Sequence, residues 1–204
     1  MLKRTQGRLL LTLLVITGLA GTLNNTSLSG KERKFAIGLM KDTKADVFKS
    51  VKGLSEAQLN FKAGPNHWSV KECTYHIAVS EKNLWNLLEV AIKSPANPEK
   101  RSEIKMTDEV VVKMMENQNT MYKTFELKKT PYKSLNEALE SFKTQRGEHI
   151  KYLKSTTEDL RNHVIQMPFG WLDCYQLCLM IASYSNWYKQ QIDEVKADPG
   201  FPKH

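Results

Sequence analysis

His76, Glu81, Tyr184 and Tyr188 are the residues whose types and spacing could do chemistry. An imidazole titrates near neutral pH and can serve as base, acid or metal ligand. Glu81, five residues after His76, is either a carboxylate that fixes the imidazole tautomer or a solvated surface charge. Tyr184 and Tyr188 are four apart, so on a helix they project to the same side. Two histidines at that spacing would make half of a metal site. Two phenols, titrating near pH ~10, stay neutral. A site rebuilt from these residues would use His76 as a base and a tyrosine hydroxyl as a donor to a developing oxyanion. The bland readings are a hydrogen-bonded core histidine and large core aromatics whose hydroxyls need partners.

The other histidines carry less. His149 falls on an apolar helical seam, as a core histidine would. His163 lies in a loop after Asp159-Leu160-Arg161, His67 precedes Trp68 in an exposed position, and His204 is terminal. None has metal-ligand spacing with another histidine. The chain carries no GxSxG, no Gly-rich phosphate loop and no CxxC. Cys73, Cys174 and Cys178 make an odd count, which argues against a disulfide framework. A Cys174–Cys178 bridge within one helix would be strained. A bridge from Cys73 to either stays open, beside the favoured reading of three buried small hydrophobes.

The elements that must position these residues are helices. A first helix follows a helical period from Lys31 to about Ser50 and breaks at Gly53. Leu54 to Leu59 reads as a short helical turn, stopped by Gly64-Pro65. Ser69 with Glu72 forms a capping box that opens the next helix. Its seam is Val70, Cys73, Ile77, Ser80, Leu84, Leu87 and Ala91, with His76 at the edge. A third helix runs from about Thr107 to Leu127, with Val110, Met114, Gln118, Met121 and Phe125 facing inward. Ser134 with Glu137 is a second capping box. The helix it opens carries Leu135, Ala138, Phe142, Arg146, His149 and Leu153 to about Lys154. Phe169-Gly170 marks a turn, and a last helix spans about Asp173 to Ala197, with Cys174, Leu177, Ile181, Tyr184, Tyr188, Gln191 and Val195 as its seam. No strand-length alternating run competes. The expectation is an all-α helix bundle. Ile77, Leu84, Leu87, Met114, Phe125, Phe142, Leu177 and Ile181 should lie in its core.

The first thirty residues differ in kind. Lys3, Arg4 and Arg8 precede an uncharged, mostly apolar run from Leu9 to Leu23, too short for a comfortable span of ~20 residues. Gly18-Leu19-Ala20 supplies small residues for cleavage. This is the layout of a secretory signal peptide. An uncleaved N-terminal membrane anchor is the alternative. The expected organisation is a signal peptide and linker over 1–30 and a single bundle over 31–204, exported to a periplasm or the extracellular space. No stable membrane span remains after cleavage. Loss of the three basic residues brings the formal charge from +8 to +5. The remaining charge is dispersed, without the clustered stripe that nucleic-acid binding needs.

Several segments together resemble the DinB-like superfamily. They are Leu54-Ser55-Glu56-Ala57-Gln58-Leu59, Trp68-Ser69 before a helix, His76 and Glu81, Asp159-Leu160-Arg161-Asn162-His163, Phe169-Gly170, Leu172-Asp173-Cys174-Tyr175-Gln176, and the closing run from Gln191 to Pro202. The resemblance covers about Lys31 to Pro202. It implies a four-helix bundle with long crossover connections, in a family of thiol-dependent transferases and metal-dependent hydrolases. It also implies a metal site built from one histidine on the second helix and a His-x-x-x-His pair on the last. His76 matches the first of these, and the pair aligns with Tyr184 and Tyr188. The expectation is a bundle that binds a small molecule or protein partner without a metal, with a homodimer as one form of partnership. The alternative is a transferase or hydrolase with a site rebuilt around His76, and zinc or nickel is the alternative cofactor.

Overall fold

The computed structural model describes residues 28–65, 67–116 and 130–203. The signal-peptide expectation, Gln118, Met121, Phe125 and His204 lie outside them. Among the described residues, no helix is long and apolar enough to cross a membrane.

Four long helices carry the fold: α1 (Gly30–Val51), α3 (Val70–Lys93), α5 (Leu135–Ser155) and α6 (Cys174–Ala197). Short elements fill the connections. These are α2 (Glu56–Asn60), a 3₁₀ turn (Pro98–Glu103), α4 (Asp108–Glu116) and a hairpin of β1 (Val164–Met167) and β2 (Gly170–Asp173). α6 packs against both α1 and α3, and α5 packs against the same two helices from the opposite corner. The result is the expected four-helix bundle with long crossovers.

Local chemistry sets the helix ends. At Ser69 both capping-box bonds form: Glu72 N–H donates to Ser69 Oγ at 3.2 Å, and Ser69 N–H donates to Glu72 Oε2 at 2.8 Å. Ser29/Glu32, Ser55/Gln58 and Asp173/Gln176 close three more. The Ser134 box is only half made. Glu137 N–H donates to Ser134 Oγ, but the Glu137 carboxylate accepts from Lys133 N–H, one residue upstream of the cap. Gly53, at φ 75°, ends α1 in a left-handed conformation that a side chain would strain.

Two expectations about regular structure are corrected. The chain does hold strands, because Val164–Met167 and Gly170–Asp173 pair antiparallel around the two-residue turn Pro168-Phe169. Four-residue strands are too short to show a period above the noise. Gly170, at φ 136°, takes the chain out of that turn. The inward seams also drift. Leu87 is 38% exposed while Leu88 is fully buried, and Val110 is 46% exposed while Val111 is fully buried. Along α3 a seam stepped in threes and fours rotates by about 20° per heptad, which carries Leu87 outward and leaves Leu88 in line with Val70. Val110 lies in the first turn of α4, and the buried stripe there starts one residue later. Ile77, Leu84, Phe142, Leu177 and Ile181 are buried, and Met114 packs half-buried against the core.

Candidate functional site

α3 and α6 lie side by side, which brings His76 against the two tyrosines. His76 Nε2 is 3.1 Å from Tyr184 Oη, and Tyr184 Oη is 3.4 Å from Tyr188 Oη. The His76 and Tyr188 rings tilt against each other with centroids 4.3 Å apart. Trp68, just before the α3 cap, meets His76 edge-on at 4.9 Å and stacks on Tyr188 at 5.7 Å. Trp187 closes edge-on against Tyr188 at 4.4 Å. His76, Tyr184 and Tyr188 are all buried. His76 Nδ1, Ser183 Oγ and Trp187 Nε1 are buried polar atoms without a hydrogen-bond partner among the described residues. An unpaired group of this kind costs about 1–3 kcal/mol.

The electrostatics follow from burial. Desolvation pulls the His76 imidazole down to about 4, so it is neutral at physiological pH. Burial also pushes the Tyr184 phenol up, against the hydrogen bonds from Tyr188 and Ser80 that favour its ionised form. It pushes the Tyr188 phenol up as well, with the neighbouring Tyr184 adding to the effect.

Glu81 does not join this group. Five residues along α3 is a rotation of about 140° from His76. Because α3 is covered by α6 on one side and by α5 on the other, both faces are buried. His76 looks toward α6, and Glu81 looks toward the bundle axis and α5. There its carboxylate accepts from Arg146 twice, at 2.6 Å from Nε and 2.6 Å from Nη2. His149 Nδ1 donates to Glu81 Oε1 at 2.7 Å. Arg146, fully buried, also reaches Met40 O and Thr43 Oγ1 on α1, and Ile181 O and Ser185 Oγ on α6. One guanidinium thus ties all four long helices. Burial opposes the Glu81 charge, yet Arg146 and the bond from His149 hold its carboxyl below the usual carboxylate range.

Sequence reasoning placed Arg146 and His149 on the inward seam without seeing this pairing. The available signal was the arginine itself, because a buried guanidinium requires a buried carboxylate. Glu81 is the acidic residue of α3 that can reach it.

The remaining candidates are structural. His163 Nδ1 donates to Ala91 O at 3.0 Å, pinning the start of β1 to the end of α3. Arg161 bridges Glu32, Asp108 and Asp173, and its guanidinium lies 4.1 Å from the Tyr175 ring centroid. All three cysteines are buried and free. Burial pushes the Cys73 and Cys174 thiols to about 12 and Cys178 well up, so none is a ready nucleophile.

The sequence profile of the DinB superfamily matches residues 39–185. The chain belongs to the DinB superfamily. Its fold is similar to that of YfiT from Bacillus subtilis, described as "a probable metal-dependent hydrolase with an unusual four-helix bundle topology". The two share 16% sequence identity at a TM-score of 0.61, over 86% of this chain and 92% of YfiT. Among curated proteins no sequence matches the chain.

The sequence resemblance implies a metal at the His76 position, and the donor set can be tested against it. It offers one neutral imidazole and two phenols, each driven away from ionisation by burial. A catalytic zinc normally takes three protein ligands, as imidazole, thiolate or carboxylate. Among the described residues, no cluster of three or more His, Cys, Asp or Glu side chains could hold a metal ion. Ionising one phenol from its ordinary value costs about 4 kcal/mol at neutral pH, and burial here adds to that. These residues do not fit a tightly bound divalent cation.

Proposed function

We propose that this chain is an exported DinB-superfamily bundle whose His76–Tyr184–Tyr188 site has lost its metal and binds a small molecule or a partner group. The observation that carries this reading is the state of His76. It is a neutral imidazole bonded at Nε2 to a neutral phenol, with Nδ1 buried and unpaired among aromatic rings. A ligand hydrogen-bonding to Nδ1 would remove that desolvation cost. Metal content tests the proposal. Protein purified without a metal-binding tag should hold no stoichiometric zinc or nickel. Tyr184→His combined with Tyr188→His should take up about one ion per chain, the one metal of a three-His site. Stoichiometric zinc or nickel in the wild type, lost on His76→Ala, would overturn the metal-free reading.

Export rests on the basic start and the apolar run from Leu9 to Leu23. N-terminal sequencing of the protein from its host should find a mature start shortly after Ala20, and an intact Met1 on cytoplasmic protein would contradict it.

A second reading is favoured by the hydrolase description of YfiT and by the His76–Tyr184 bond. In it His76 is the base and a tyrosine hydroxyl donates to the developing oxyanion. Hydrolysis of activated esters that disappears on His76→Ala and falls on Tyr184→Phe would decide for this reading.

A further inference from the structure

The α3–α5 face holds a second constellation that the His76 site does not use. His149 is buried and stacks flat on Trp85, with ring centroids 3.7 Å apart and planes 10° from parallel. Its Nδ1 faces the Glu81 carboxylate, which Arg146 holds ionised from the other side. A carboxylate can only accept, so Nδ1 carries the proton. In the neutral ring, Nε2 is then an unprotonated acceptor on the opposite edge. It takes no hydrogen-bond partner among the described residues. Stacking and the Glu81 bond fix the plane and tautomer of the ring, as a second layer of residues does for a working histidine.

This ring lines an open cleft of about 770 Å³ between α3 and α5, within the range of small-molecule sites. Tyr132 and Tyr152 line the cleft with the amides of Asn83 and Asn86, and Gln145, whose Nε2 donates to Ser141, adds an acceptor oxygen. The charges on the walls are Lys82, Glu89 and Glu148, and Lys93 pairs with Glu89 at 3.6 Å, which leaves one charge of each sign and selects neither an anion nor a cation. An acceptor nitrogen, amides that both donate and accept, and ring faces suit one ligand chemistry. That chemistry is an uncharged ring bearing hydroxyl groups, whose O–H donates to Nε2 while its face packs on the aromatic walls.

We infer that the α3–α5 cleft is a second binding site, for an uncharged hydroxylated ring, with His149 Nε2 as the fixed acceptor of a ligand hydroxyl. The site shares no residue with His76, Tyr184 or Tyr188, so it stands or falls independently of the function proposed above. Phenol and methyl β-glucoside are the probes, titrated into the ¹⁵N-labelled full chain while the His149 ring nitrogens are followed by NMR. The free protein should show a protonated Nδ1 and an unprotonated Nε2. At least one probe should shift Nε2 saturably, phenol marking an aromatic ligand and the glucoside a sugar. His149→Phe keeps a ring against Trp85 and should weaken binding at least tenfold. Asn86→Trp, at an exposed position on the cleft wall, should block it without touching the core. An Nε2-protonated tautomer, no saturable shift with either probe, or undiminished binding in both variants would each overturn the inference.

Discussion

Replacing Glu81 by leucine is expected to destabilise the bundle by about 3–5 kcal/mol, the range for removing one partner of a buried ion pair. The structure gives the reason for a value at that end. Glu81 accepts from Arg146 Nε, Arg146 Nη2 and His149 Nδ1 at 2.6, 2.6 and 2.7 Å. All three donors are buried, and none has water to turn to. Leucine fills a similar volume, so the loss reports the uncompensated charge more than a cavity. With an m-value of about 2 kcal/mol/M in urea, the midpoint should fall by about 1.5–2.5 M. The companion variant Glu81→Leu/Arg146→Met removes both charges and should recover at least about 2 kcal/mol of the loss. The pH dependence supplies a second reading. The folded-state carboxyl lies below its ordinary value of 4.5, so its contribution is present above 4.5 and is lost as pH falls through the folded value. Wild type should therefore lose stability on acidification below 4.5 more steeply than Glu81→Leu. A single-variant loss under about 1 kcal/mol, or a double variant as unstable as the sum of the two singles, would refute the account of Arg146 as a buried charge that depends on Glu81.

His76 predicts a different pH window. Its folded value of about 4 lies below the ordinary 6.5, so the folded state resists protonation and stability drops as pH falls from 6.5 toward 4. The shift corresponds to about 3 kcal/mol. Urea denaturation of His76→Phe across that window should give a flatter profile than wild type, and parallel profiles would argue against a neutral buried imidazole. Core packing predicts that Leu84→Ala and Leu177→Ala each cost about 2–5 kcal/mol, whereas Leu87→Ala stays within about 0.5 kcal/mol. Equal losses at Leu84 and Leu87 in the same denaturation assay would contradict the observed orientation of α3.

Much of the site was legible in the sequence because its determinants are local. Tyr184 and Tyr188 share a face by helical geometry alone, and the Ser69-x-x-Glu72 cap fixes where α3 begins and so where His76 points. The family segments added the pairing of α3 with α6. Glu81 was misplaced because its partner is 65 residues away on α5, and nothing local distinguishes a buried glutamate from a solvated one. The hairpin was missed because each of its strands offers only four residues of pattern.

The sequence by itself determined the helical class, most of the helix boundaries and the inward placement of His76, Tyr184, Tyr188, Arg146 and His149. Periodicity, caps and breakers act over three or four residues, and they need no tertiary contact to be read. The meeting of Glu81 with Arg146 and His149 came from the tertiary structure, whereas the family segments had already set His76 against the tyrosines. Packing α3 between α5 and α6 gave it two buried faces, one carrying His76 to the tyrosines and the other carrying Glu81 to Arg146 and His149. A buried charge settles where its countercharge lies, because desolvation in the core is too costly to leave unpaired. That pairing is a property of the assembled bundle, not of any one helix.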